Sequence, residues 1–109
     1  MDSVQLIFCN FPDRVSAERA ARAVVEGGCA ACVNLLPACS SVYRWQGAVE
    51  TAQEVPLLIK TTAAAYPELE QTLRALHPYQ VPEIIALPVV AGLPAYLDWV
   101  RASVGDNHE

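Results

Sequence analysis

The run Val4-Gln5-Leu6-Ile7-Phe8-Cys9 constrains this chain more than any other stretch, because apolar groups stand at both odd and even positions. Successive side chains of a strand point to opposite faces, so a strand apolar on both belongs inside a sheet, with material above and below it. The turn residues Asn10, Pro12 and Asp13 then predict its end at Cys9. Ile84-Ile85-Ala86-Leu87, inside an extended segment from Glu83 to Val90, repeats the two-sided pattern and predicts the fourth strand, apolar on both sides.

Between these strands the period changes. Ala17, Ala20, Ala21, Val24 and Val25 recur at helical spacing opposite Glu18, Arg19, Arg22 and Glu26, with Asp13 or Ser16 as N-cap and Gly27-Gly28 as the stop. From Ala30 to Trp45 the pattern is again extended, interrupted near Pro37. Gln46-Gly47 offers a tight turn into a further extended run, Val49 to Thr62, which makes a long β-hairpin. Pro67 suits the first turn of a helix whose apolar face is Tyr66, Leu69, Leu73 and Leu76, and Pro78 prevents continuation, so the second helix is expected over Pro67 to His77. After Gly92-Leu93-Pro94, a last helix carries Leu93, Tyr96, Leu97, Val100 and Val104 on one face.

The order β-α-β-β-α-β plus a terminal helix is the α+β ferredoxin-like split βαβ sandwich: a four-stranded, largely antiparallel sheet with both main helices on one face. The other face is left bare, yet Leu6, Phe8 and their neighbours make it apolar. Several hundred Å² of such surface is unusual on a monomer, so the pattern predicts self-association through that face in a closed cyclic oligomer.

The 109 residues hold no linker, charge block or repeat, and read as one domain over residues 1–109 with a polar tail from about residue 105. A net charge of −5, with seven basic residues scattered, speaks against nucleic acid as a partner. No apolar run approaches the roughly 18 residues of a membrane span. Met1-Asp2-Ser3 leads directly into a strand without the basic and apolar regions of a secretory signal, so a cytoplasmic location is expected. Cys9, Cys29, Cys32 and Cys39 are accordingly expected to stay reduced, most of them as small buried side chains.

Once these segments stand in order, the chain resembles the CutA divalent-cation-tolerance family from Ile7 to about Val104. The resemblance rests on Cys9 followed by Pro12-Asp13, and on Ala30-Ala31-Cys32-Val33-Asn34, Tyr43-Arg44-Trp45-Gln46-Gly47 and Ile59-Lys60-Thr61-Thr62. It continues through His77-Pro78-Tyr79, Pro82-Glu83-Ile84-Ile85 and Tyr96-Leu97-Asp98-Trp99. It implies a homotrimer whose sheets face inward and whose hairpins reach around neighbours, a role in tolerance of copper and other divalent ions, and a likeness to signalling trimers that hold small ligands between subunits.

The same resemblance implies metal ligation by Cys9 and by His77; a second family histidine is replaced here by Leu76. Thiolate and imidazole suit Cu(I), Cu(II) or Zn(II), although a discrete site needs three or four ligands. The alternative places Cys9 in the core and His77 at a helix end favoured by the dipole. Tyr43, Arg44, Trp45, Lys60, Tyr79 and Glu83, with His77, fall on segments that the family fold brings towards the inter-subunit cleft, where they would either hold an anionic or aromatic ligand or anchor the interface, Lys60 and Glu83 then satisfying each other or solvent. Cys29-Ala30-Ala31-Cys32 has the spacing of a redox pair but opens a strand, which favours a structural role, and Cys39 is expected to be the exposed thiol. No nucleophile elbow, zinc-protease helix, P-loop or dinucleotide fingerprint is present, so no enzymatic activity is expected. The functions in view are a metal-tolerance trimer, a signalling trimer binding a small anion, and a trimeric scaffold for a protein partner.

Overall fold

The computed structural model describes residues 2–105, so most of the polar tail expected from about residue 105 lies outside the described residues. In chain order the elements are β1 (Val4–Phe11), α1 (Arg14–Glu26), β2 (Cys32–Leu35), β3 (Cys39–Trp45), β4 (Ala48–Thr62), α2 (Tyr66–Leu76), β5 (Ile84–Pro88) and α3 (Pro94–Ser103). The sheet runs β2-β4-β1-β5, all antiparallel, and β3 pairs with β4 beyond the end of β2. β1 is internal, as its two-sided apolar pattern requires. It is two residues longer than expected: Asn10 and Phe11 continue the strand opposite Pro56 and Val55.

Odd positions of β1 and β4 build the core. Ile7, Cys9 and Phe11 pack with Val55, Leu57 and Ile59 against Ala17, Ala20 and Val24 of α1 and Leu69 and Leu73 of α2. The alanines on the buried stripe of α1 let that helix approach the sheet closely, and each buried leucine contributes roughly 2 kcal/mol of transfer free energy. Asp13 starts α1 by accepting the Ser16 N–H at 2.8 Å. Beyond its end, Gly28 adopts φ +81 while the amides of Gly27 and Gly28 return to the carbonyls of Ala23 and Val25.

The hairpin turn is as the sequence predicts. Gln46 and Gly47 both take positive φ, +50 and +83, the geometry of a two-residue turn matched to strand twist. The run from Ala30 to Trp45, by contrast, is two strands. β2 pairs with β4 in a register that sets Leu35 opposite Leu57, whereas β3 sets Cys39 opposite Glu54. Three residues, Leu36-Pro37-Ala38, therefore face two, Val55-Pro56. This is a β-bulge, anchored where the Leu36 N–H reaches the Pro56 carbonyl at 3.0 Å. The extra residue inverts parity: Cys32 and Asn34 share a face with Ser41, Tyr43 and Trp45.

The face away from α1 and α2 is only partly bare. α3 contacts β4 and β1, and Val4, Val100 and Val104 are buried outside the main core cluster, so α3 covers one end of it. The remainder presents two rows read across the sheet, Cys32-Lys60-Leu6-Leu87 and Asn34-Leu58-Phe8-Ile85. Ile85 is 50% and Leu87 46% exposed.

Candidate functional site: the hairpin and the α2–β5 loop

α2 ends at Leu76, one residue before the expected His77, because His77 turns out of the helix with extended backbone. That backbone carries the ring inward. His77 is 8% exposed and stacks between Phe11, at 4.2 Å between centroids, and Tyr79, at 4.9 Å. The Tyr79 N–H donates to Nδ1 at 3.1 Å, so Nδ1 is an acceptor and Nε2 carries the hydrogen that reaches the Asn10 carbonyl at 2.5 Å. Both nitrogens are thus engaged in holding the α2–β5 loop against the end of β1. The alternative reading of His77 as a polar helix end favoured by the dipole is refined: the residue caps α2, but its ring is a buried strut.

Cys9 is fully buried in the core. Burial pushes its thiol up to about 12, with Glu83 and then Glu54 adding to the effect, so it stays protonated at neutral pH. Among the described residues, no three His, Cys, Asp or Glu side chains gather as a ligand set for a metal ion. Cys29 and Cys32 are free, Cys29 buried and Cys32 half-buried, and Cys39 is exposed as expected.

Of the seven residues expected towards the inter-subunit cleft, four line a single cleft within this chain and Arg44, Lys60 and His77 do not. Tyr43 and Trp45 from β3 face Tyr79 and Glu83 across a cleft of about 740 Å³ whose further lining includes Glu50 and Glu54. Tyr43 lies opposite Glu50 in the ladder and donates its hydroxyl to that carboxylate at 3.4 Å. Glu83 accepts from Asn10 Nδ2 at 2.9 Å, and Glu54, 9% exposed, sits beside the Tyr79 hydroxyl. Burial and these carboxylates hold the phenols of Tyr43 and Tyr79 above their ordinary range, so both remain neutral donors.

Arg44 and Lys60 do not line the cleft. Arg44 alternates to the opposite side of the hairpin, and Lys60 stands on the sheet face, donating to Asn34 Oδ1. Lys60 and Glu83, expected to satisfy each other or solvent, instead pair with Asn34 and Asn10 respectively. Glu50 and Glu54 are lining residues the sequence left unmarked, and Asn10, read there only as a turn residue, is the partner of Glu83. Glu50 and Glu54 are four apart on one strand and so share its face, a signal that gains meaning only once that face has a partner wall.

A split βαβ sheet with a protruding hairpin and an aromatic, acidic cleft at its base defines an α+β protein of the ferredoxin-like kind. The chain matches the family described as CutA1 divalent ion tolerance protein over residues 5–103, and it belongs to that family. It is 48% identical over 101 residues to the divalent-cation tolerance protein CutA of Thermus thermophilus, covering 93% of this chain and 98% of that one. A solved divalent cation tolerance protein of the same organism superposes with a TM-score of 0.92 at 47% identity, over 94% of this chain and 99% of the other. A CutA from Archaeoglobus fulgidus, described as periplasmic, superposes at 0.90 with 33% identity, over 94% and 99%.

Proposed function

We propose that this chain acts in divalent-cation tolerance as a non-catalytic homotrimer closed through its open sheet face. The observation that carries the reading is the pair of rows across that face, where Leu6, Phe8, Leu58, Ile85 and Leu87 form an apolar surface that α3 leaves uncovered. Copies related by cyclic symmetry would bury these rows against one another, and the protruding hairpin has the length to reach a neighbour. Lys60 and Asn34 satisfy each other on this face, which lowers the cost of burying the lysine.

On this reading copper and zinc have no preformed seat at Cys9 and His77. A metal would have to displace the Tyr79 N–H from His77 Nδ1 and deprotonate a thiol raised to about 12. The same engagement of His77 and Cys9 leaves no base and nucleophile pair there, in keeping with a role without catalysis. The cytoplasmic assignment belongs to the same proposal and is supported by four cysteines free of disulfides. No helix among the described residues is long and apolar enough to cross a membrane.

Native mass spectrometry of the reduced protein, with and without Cu(II) and Zn(II), tests the reading. The expected result is a trimer without a stoichiometric metal, converted to monomer by Ile85→Asp with its circular dichroism retained. A wild-type monomer would overturn the assembly, and one tightly bound metal per chain, lost in a Cys9→Ala, His77→Ala variant, would restore those two residues as ligands.

A further inference from the structure

We propose that the cleft between the β3–β4 hairpin and the α2–β5 loop binds a small organic cation, an alkyl ammonium or guanidinium with an apolar body.

The argument begins with the balance of groups on its walls. Glu50, Glu54 and Glu83 contribute three carboxylates, and no lysine, arginine or histidine is among the described lining residues. Two of them meet one neutral donor each, Tyr43 for Glu50 and Asn10 for Glu83, and Glu54 stands near the Tyr79 phenol. Glu54 is nine-tenths covered, and Asn10, which is 6% exposed and stands behind Glu83 outside the lining, holds that carboxylate in place through Nδ2. Glu50 and Glu83 stand at the exposed rim and Glu54 at the covered floor, so the site gathers three carboxylates with no counter-charge among the described lining residues, a combination that a donor-bearing cation relieves.

Two further observations choose the kind of cation. The carboxylates do not converge into a set able to hold a metal ion, so a bare ion finds no coordination polyhedron. Tyr43, Trp45 and Tyr79 instead supply aromatic faces, which attract ammonium and guanidinium groups and bury an alkyl body. A volume of about 740 Å³ lies within the usual range for small-ligand sites. The parity switch at the bulge places Arg44 on the far side of the hairpin, so Arg44 does not supply the cation. This inference stands on one chain and does not require the trimer.

Agmatine, which carries both an ammonium and a guanidinium, is the probe, with butyrate and butanol as anionic and neutral controls. In a Trp99→Phe background, where Trp45 is the remaining tryptophan, agmatine should quench emission saturably with a Kd tighter than about 1 mM. Glu54→Gln, Glu83→Gln and Trp45→Leu, the last read by calorimetry, should each weaken it roughly tenfold or more with circular dichroism unchanged. Equal binding of butyrate, no saturation with agmatine, or binding indifferent to all three substitutions would overturn the proposal. If agmatine fails to bind and the Glu→Gln variants alter the oligomer mass, the cation is a basic side chain of a second copy and a free ligand is excluded.

Discussion

The imidazole of His77 holds the carbonyl of Asn10 at 2.5 Å, joining residues sixty-seven positions apart and fixing the loop after α2 to the end of β1. Removing the ring also strips a partner from the Tyr79 amide. His77→Ala should lower unfolding free energy by about 1–3 kcal/mol, and His77→Gln, which keeps a donor and an acceptor, should recover part of it. Denaturant titration measures both; an alanine variant as stable as wild type would remove the strut.

Stability should decline on the alkaline side. Cys9 is raised from 9.0 to about 12 and Tyr66 from 10.0 to about 12, in each case first by burial. Both groups keep their protons longer folded than unfolded, so the native state binds more protons in this window and its stability falls as pH rises through it. For Cys9 alone the slope approaches about 1.4 kcal/mol per pH unit. Denaturant midpoints compared at about pH 8 and about pH 11 should separate in wild type and draw together in Cys9→Ala. Parallel behaviour of the two proteins would exclude Cys9 as a source.

The bulge at Leu36-Pro37-Ala38 is pinned from both sides, by the Gln46-Gly47 turn and by Val33 and Leu35 packed on the core. Deleting Ala38 leaves no register that satisfies both, and should cost about 1–3 kcal/mol through the lost Leu36 to Pro56 bond and a mispaired junction. Hydrogen exchange at the Leu36 amide should accelerate in step. Ala38→Gly, which keeps the residue count, should leave that amide protected; equal exchange in both variants would show that the extra residue is dispensable.

Asp13 Oδ1 caps α1 through the Ser16 amide at 2.8 Å. Asp13→Ala should cost about 1 kcal/mol and Asp13→Asn nearly nothing, since either oxygen accepts the same hydrogen. Thermal unfolding followed by far-ultraviolet circular dichroism distinguishes the two, and equal losses would assign the effect to charge.

The match between sequence and structure is best where a local rule decides the outcome. Asp13, Gly28 and Gln46-Gly47 act through their own backbone conformations, and the alternation of Ile7, Cys9, Leu57 and Ile59 is enough to build the core. The order of elements, the internal position of β1 and the bareness of much of one face all follow from these patterns. They are consequences of period and turn chemistry, which the chain carries at every residue.

The cleft belongs to tertiary structure. Tyr43 and Trp45 are odd-numbered residues on the same face as Cys32 and Asn34, because one extra residue at the bulge inverts the strand's alternation. That inversion sets the aromatics beside Glu50 and Glu54 and turns Arg44 away, and no local pattern states it. His77 likewise reads as a helix end, yet its partners are a carbonyl on β1 and an amide two residues on. The composition of a strand declares which residues want burial or water, whereas the register against a distant strand decides which of them meet.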